Sequence, residues 1–111
     1  MDFRELEEAI CREKTLTPAL SDLVLEIWKT RGQKAIDAVE EGRVRRYLDF
    51  YVVEGGSGEY IVDEDFCTCS DFIFRGGTCW HILAVMIARC TGRDVPVPRW
   101  YQERWTRAKH P

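Results

Sequence analysis

Three cysteines and a histidine fall in two tight pairs, Cys67-Thr68-Cys69 and, nine residues later, Cys79-Trp80-His81, and no other feature constrains this chain as much. Thiolate and imidazole are the donors zinc takes in structural sites, where four protein ligands close the tetrahedron and leave no position for a substrate. Alternate residues of an extended strand point the same way, so Cys67 and Cys69 face a common ion if residues 66–69 are strand-like. Residues 70–78 are long enough to bring the second pair back, with Gly76-Gly77 giving a sharp return. Thr78 is expected to cap a helix from Cys79 to about Thr91 that stops at Gly92. Cys79 and His81 then lie in its first turn. Three thiolates and a divalent ion sum to a single negative charge, which the helix dipole favours by about 0.3–1 kcal/mol. The expected cofactor is one structural Zn2+ held by Cys67, Cys69, Cys79 and His81, with iron chemically admissible in a heterologous host.

Other uses of these residues fit less well. Disulfide pairing needs an oxidising compartment, and the acidic stretch Met1–Glu8 lacks the apolar segment of an export signal. A nucleophilic Cys79–His81 pair is disfavoured because positions i and i+2 of a helix do not face each other. Cys11 and Cys90 match no ligand spacing and read as small apolar residues on helical faces. The longest apolar stretch, Ile82–Ala88, is far too short to cross a bilayer, and no anchor motif accompanies it. The expectation is an intracellular protein, in the cytoplasm or, in a eukaryote, the nucleus, with no membrane contact and no small-molecule substrate. No triad, open metal position or phosphate loop supports an enzyme.

The 111 residues, 45% of them hydrophobic, suffice for one domain with a modest core that a metal would reinforce. Its expected parts are an N-terminal helical region (1–42), a metal-binding unit (43–92) and a Pro-containing aromatic and basic tail (93–111). Net charge is −3, but the first two parts are acidic and the last is basic. That balance argues against a surface wholly committed to phosphate while leaving room for local contact.

Phe3, Leu6, Ala9 and Ile10 predict a helix from Asp2 to about Glu13. Thr17-Pro18 starts a second, with Leu20, Leu23, Val24, Ile27 and Trp28 on one face and a stop expected near Gly32. Gln33–Glu41 is a short third helix or a continuation, closed by Gly42. Val44 to Val53 is rich in β-branched and aromatic residues and reads as one strand, returning through Glu54–Gly58 into Glu59–Val62. Two strands alone are marginal, so the hairpin needs the metal loop and the helix from Cys79. The fold class is therefore α+β: a ββα unit of hairpin, metal loop and apolar helix, packed with N-terminal helices. Arg43, Arg45 and Arg46 form either a small basic edge or an ordinary solvated one.

The helix from Cys79 is apolar almost all round, which suits either a core helix wrapped by its neighbours or a helix with one flank docking a partner chain. Downstream, Asp94–Pro98 is stiff and extended. Arg99–Lys109 is a candidate short helix in which Arg99, Trp100, Arg104, Trp105 and Arg107 interleave cations and aromatics. Such a segment packs on its own domain, anchors a protein interface, or stacks bases while neutralising phosphate. His110 is read as part of an idle terminus.

Cys67-Thr68-Cys69-Ser70-Asp71-Phe72 and Cys79-Trp80-His81-Ile82-Leu83-Ala84-Val85 together resemble the SWIM-type zinc finger over roughly residues 44–90. The resemblance implies a ββα fold, the four zinc ligands named above, and a role as a DNA-binding or protein-interaction module. Cys79-x-His81-x-x-Ala84 further resembles the SWIM subunits of Shu complexes and their small archaeal relatives. This implies a non-catalytic adaptor that pairs with a paralog of the strand-exchange recombinase in homologous recombination, with single-stranded DNA reached directly or through the partner. Ala84, with Trp80 and Leu83 beside it, is then a position for partner contact or helix packing.

Overall fold

The computed structural model describes residues 2–56, 58–63, 66–68 and 79–100. The chain opens with three eleven-residue helices, α1 (Phe3–Glu13), α2 (Pro18–Trp28) and α3 (Thr30–Glu40). Asp2 caps α1 by accepting the Glu5 N–H at 2.9 Å, and Thr17 caps α2 by accepting that of Leu20 at 3.2 Å, with Pro18 at the first helical position. The break between α2 and α3 falls at Lys29, whose φ of 52° turns the chain, and not near Gly32 as the sequence suggests. Gly32 lies inside α3, where a Cβ would sit 2.7 Å from the Val24 carbonyl oxygen. Its lack of a side chain lets the two helices approach closely, so it works as a packing residue and not as a terminator.

The expected long strand is two. Val44–Arg46 (β1) and Tyr51–Gly55 (β2) pair antiparallel about a turn closed by the Tyr47 N–H donating to the Phe50 carbonyl at 2.9 Å. A second hairpin joins β2 to β3 (Gly58–Asp63), with Gly55 opposite Gly58. Phe66–Cys67 (β4) adds to the outer side of β3, Val62 opposite Cys67. Val95–Pro96 (β5) returns from the far end of the chain to lie parallel to β1, giving the order β4-β3-β2-β1-β5. Proline suits this edge position because it has no N–H to offer the ladder. The Val97 N–H continues the pairing by donating to Arg46 at 2.8 Å.

The helix after the metal loop, α4, runs Trp80–Thr91, one residue later than the sequence suggests, with Cys79 at its N-cap and Gly92 in the left-handed conformation at its end. Nine of its twelve residues are buried, so it is the helix around which the rest is arranged. It packs against α1, α3 and the sheet, and Leu6, Ile10, Val24, Val44, Val53, Val62, Leu83 and Ile87 meet there fully buried. Each such aliphatic side chain contributes about 1.5–3 kcal/mol. Leu83 and Ala84 are wholly inside this core, in helix packing, and Trp80 is half-buried. No helix among the described residues is long and apolar enough to cross a membrane.

The structure departs from the sequence expectation at two further places. Cys11 and Cys90 are not idle apolar residues: they form a disulfide joining α1 to the end of α4, with Cα atoms 4.4 Å apart. Local spacing could not reveal the pair because 79 residues separate its members. Arg43, Arg45 and Arg46 form no basic edge either. Arg43 pairs with Glu41, Arg45 with Glu54 and Glu59, and Arg46 with Asp94, and β1 lies between two strands.

Candidate metal centre

Strand β4 delivers Cys67 from one side and the start of α4 delivers Cys79 and His81 from the other. One donor atom from each lies within 4.8 Å of the others, and all three residues are buried. How residues i and i+2 can meet at one point follows from the cap. Cys79 has extended backbone (φ −89°, ψ 169°), so only His81 obeys helical geometry and the two side chains are free to converge. The Cys79 carbonyl still accepts the Leu83 N–H at 3.2 Å, which ties the ligand to the helix. On the strand side, Thr68 and Ile61 exchange two bonds. The Thr68 N–H donates to the Ile61 carbonyl at 3.1 Å, and the Thr68 hydroxyl accepts the Ile61 N–H at 3.0 Å. This clamp extends the β3–β4 pairing past Cys67.

His81 tests whether a cation fits. Its ring is 4% exposed, and neither nitrogen has a hydrogen-bond partner among the described residues. An unsatisfied buried polar atom costs about 1–3 kcal/mol, and a coordinated metal supplies one nitrogen with its partner. Tyr60 and Trp80 lie against the ring, with centroids at 4.2 and 3.9 Å, and fix its plane. Two buried sulfur donors and one imidazole match what zinc prefers. Cys69 lies outside the described residues, as do Arg104, Trp105, Arg107, His110 and the Thr78 cap. Of the tail residues, Arg99 and Trp100 are exposed and not helical, Trp100 to 51%. The Arg99 carbonyl accepts the Leu48 N–H at 2.9 Å, which places the tail's start beside the β1–β2 turn.

The sequence reading missed Tyr60 and Thr68 as supports of the site. Neither has a motif of its own: Tyr60 reads as one more aromatic in a strand, and Thr68 as the spacer between two ligands.

An open hollow of about 560 Å³ adjoins the centre, with Tyr60, Trp80 and His81 on one side and Lys34, Asp37 and Arg43 on another.

A small α+β unit with a buried Cys/His cluster where a strand edge meets a helix start is the architecture of a zinc-binding module. Comparison with known families agrees, because residues 47–90 match the SWIM zinc finger. The cofactor this implies is zinc, and Cys67, Cys79 and His81 are placed to hold it. The chain is also similar to an uncharacterized protein of Archaeoglobus fulgidus, 42% identical over 74 residues. That match spans 64% of this chain and 65% of the relative. No solved structure matches the chain.

Proposed function

We propose that this protein is a non-catalytic zinc-finger adaptor that binds a recombinase-paralog ATPase and supports homologous recombination and DNA repair. The observation that carries the non-catalytic part is the donor set, two buried thiols and a histidine 4% exposed, which suits structural zinc; with Cys69 as fourth ligand, as the SWIM resemblance implies, no coordination position is left for a reactant. The SWIM match supports a binding module, and the Cys79-x-His81-x-x-Ala84 resemblance supports the recombinase partner. Since Leu83 and Ala84 are interior, their role in such a partnership is to set the packing of α4 rather than to touch the partner. The test is co-purification with each recombinase paralog from the source cell: a stable complex with one of them is expected, and failure with all of them defeats the reading.

Direct binding of single-stranded nucleic acid is the second reading, favoured by the Tyr60 and Trp80 rings and Lys34 of the hollow beside His81 and by exposed Arg99 and Trp100. It requires affinity that falls steeply with salt and weakens in Lys34→Gln and Arg99→Gln. Binding indifferent to salt, or none, rejects it.

A further inference from the structure

Helix α1 enters the core through Leu6 and Ile10, as the equally long α2 does through Leu20 and Val24, with Phe3, Ala9 and Cys11 packed alongside. Phe3 is half-buried against Trp28, and a surface ion pair joins Glu7 to Arg89 of α4. An eleven-residue helix is too short to persist alone in water, and an exposed ion pair adds little. One turn beyond Glu7, the Cys11–Cys90 disulfide ties the same two helices together. Both helices form one side of a groove of about 540 Å³, with Phe3 and Glu7 from α1 and Val85, Met86 and Arg89 from α4, whose other side is the β1–β2 turn, Arg46 to Tyr51.

We infer that the Cys11–Cys90 disulfide is a reducible clamp: closed, it fixes α1 on α4 and completes the groove, and opened, it releases α1 while the metal-binding end of α4 stays assembled. Access favours the chemistry at one sulfur. Cys11 is half-exposed and Cys90 is buried, so a dithiol reductant's thiolate attacks Sγ of Cys11 and Cys90 leaves as a thiolate that takes up a proton. The reductant's second thiol then attacks the mixed disulfide and frees Cys11. Two electrons and two protons have passed, the dithiol has become a disulfide, and an oxidised dithiol of the same class reverses the exchange. Separability follows from distance and contact. Cys90 lies nine residues, or about 14 Å, along the helix from His81. The cluster itself rests on β3 and β4, with no ligand from α1.

The test uses the whole zinc-loaded chain prepared without reductant. Maleimide labelling in denaturant and chelator is expected to count three thiols per chain before reduction and all five cysteines after it; five before reduction overturns the proposal. Hydrogen exchange of α1 amides should then accelerate about tenfold or more on treatment with a phosphine reductant and recover on reoxidation, with zinc content unchanged. Unchanged α1 protection after verified reduction overturns the clamp, and loss of zinc together with α1 overturns its separability. The Cys11→Ser/Cys90→Ser variant should exchange quickly in α1 with or without reductant, and protection equal to the oxidised parent contradicts the proposal. The reductant experiment on the unaltered chain decides the matter even where that variant does not fold.

Discussion

At His81 the fold buries all but 4% of an ionisable ring between two aromatic side chains and two sulfurs, and a bound cation makes that burial tolerable. Structural zinc contributes about 10–16 kcal/mol of apparent binding free energy, as much as or more than the whole stability of a small domain. Accordingly His81→Ala and Cys67→Ser should lose zinc and the cooperative thermal transition together; melts like the parent's would remove the metal from its structural role. Gly32 gives a second prediction at this scale. In an exposed helix Gly→Ala gains about 1 kcal/mol, but here the new Cβ meets the Val24 carbonyl oxygen at 2.7 Å, a backbone atom that moves only if α2 moves. Overpacking of this kind costs about 1–3 kcal/mol, so Gly32→Ala should lower the urea midpoint. Lys29 is the converse, a side chain held at φ 52°, ψ −122°, where glycine rests without strain. Lys29→Gly should raise stability by about 1 kcal/mol in the same assay.

Among elements, the helices were legible because their signals are local. Asp2, Thr17-Pro18 and Gly92 stand at the ends where a cap, a first-turn proline and a left-handed residue belong. The sheet was less so. Tyr47–Phe50 turns without glycine or proline, and its hydrophobic residues continue the β pattern, so β1 and β2 read as one strand. The β1–β5 pairing joins residues some fifty positions apart, which no local periodicity encodes. The candidate site was legible for a different reason: ligand chemistry fixes residue type and spacing together, whereas supports such as Tyr60 are defined only by what packs on them. The disulfide lies at the far end of this scale. Closing a loop across 79 residues should contribute about 4 kcal/mol, so Cys11→Ser/Cys90→Ser should unfold at markedly lower urea than the oxidised parent and match the reduced one. Equal midpoints for the variant and the oxidised parent would remove the disulfide from the account of stability.

For the whole molecule, two cross-links bracket one buried helix. The metal cluster anchors the start of α4 to the sheet, and Cys90 anchors its end to α1. The chain carries a net charge of −3, and Arg43, Arg45 and Arg46 are each matched by carboxylates. The proposed adaptor role needs the metal for shape alone. The most direct test is native mass spectrometry of the purified chain, followed by thermal unfolding before and after extraction with a strong chelator. One zinc per chain is expected, whose removal abolishes the cooperative transition and whose return restores it. Folded protein that carries no zinc, or that melts identically with and without it, would contradict the account.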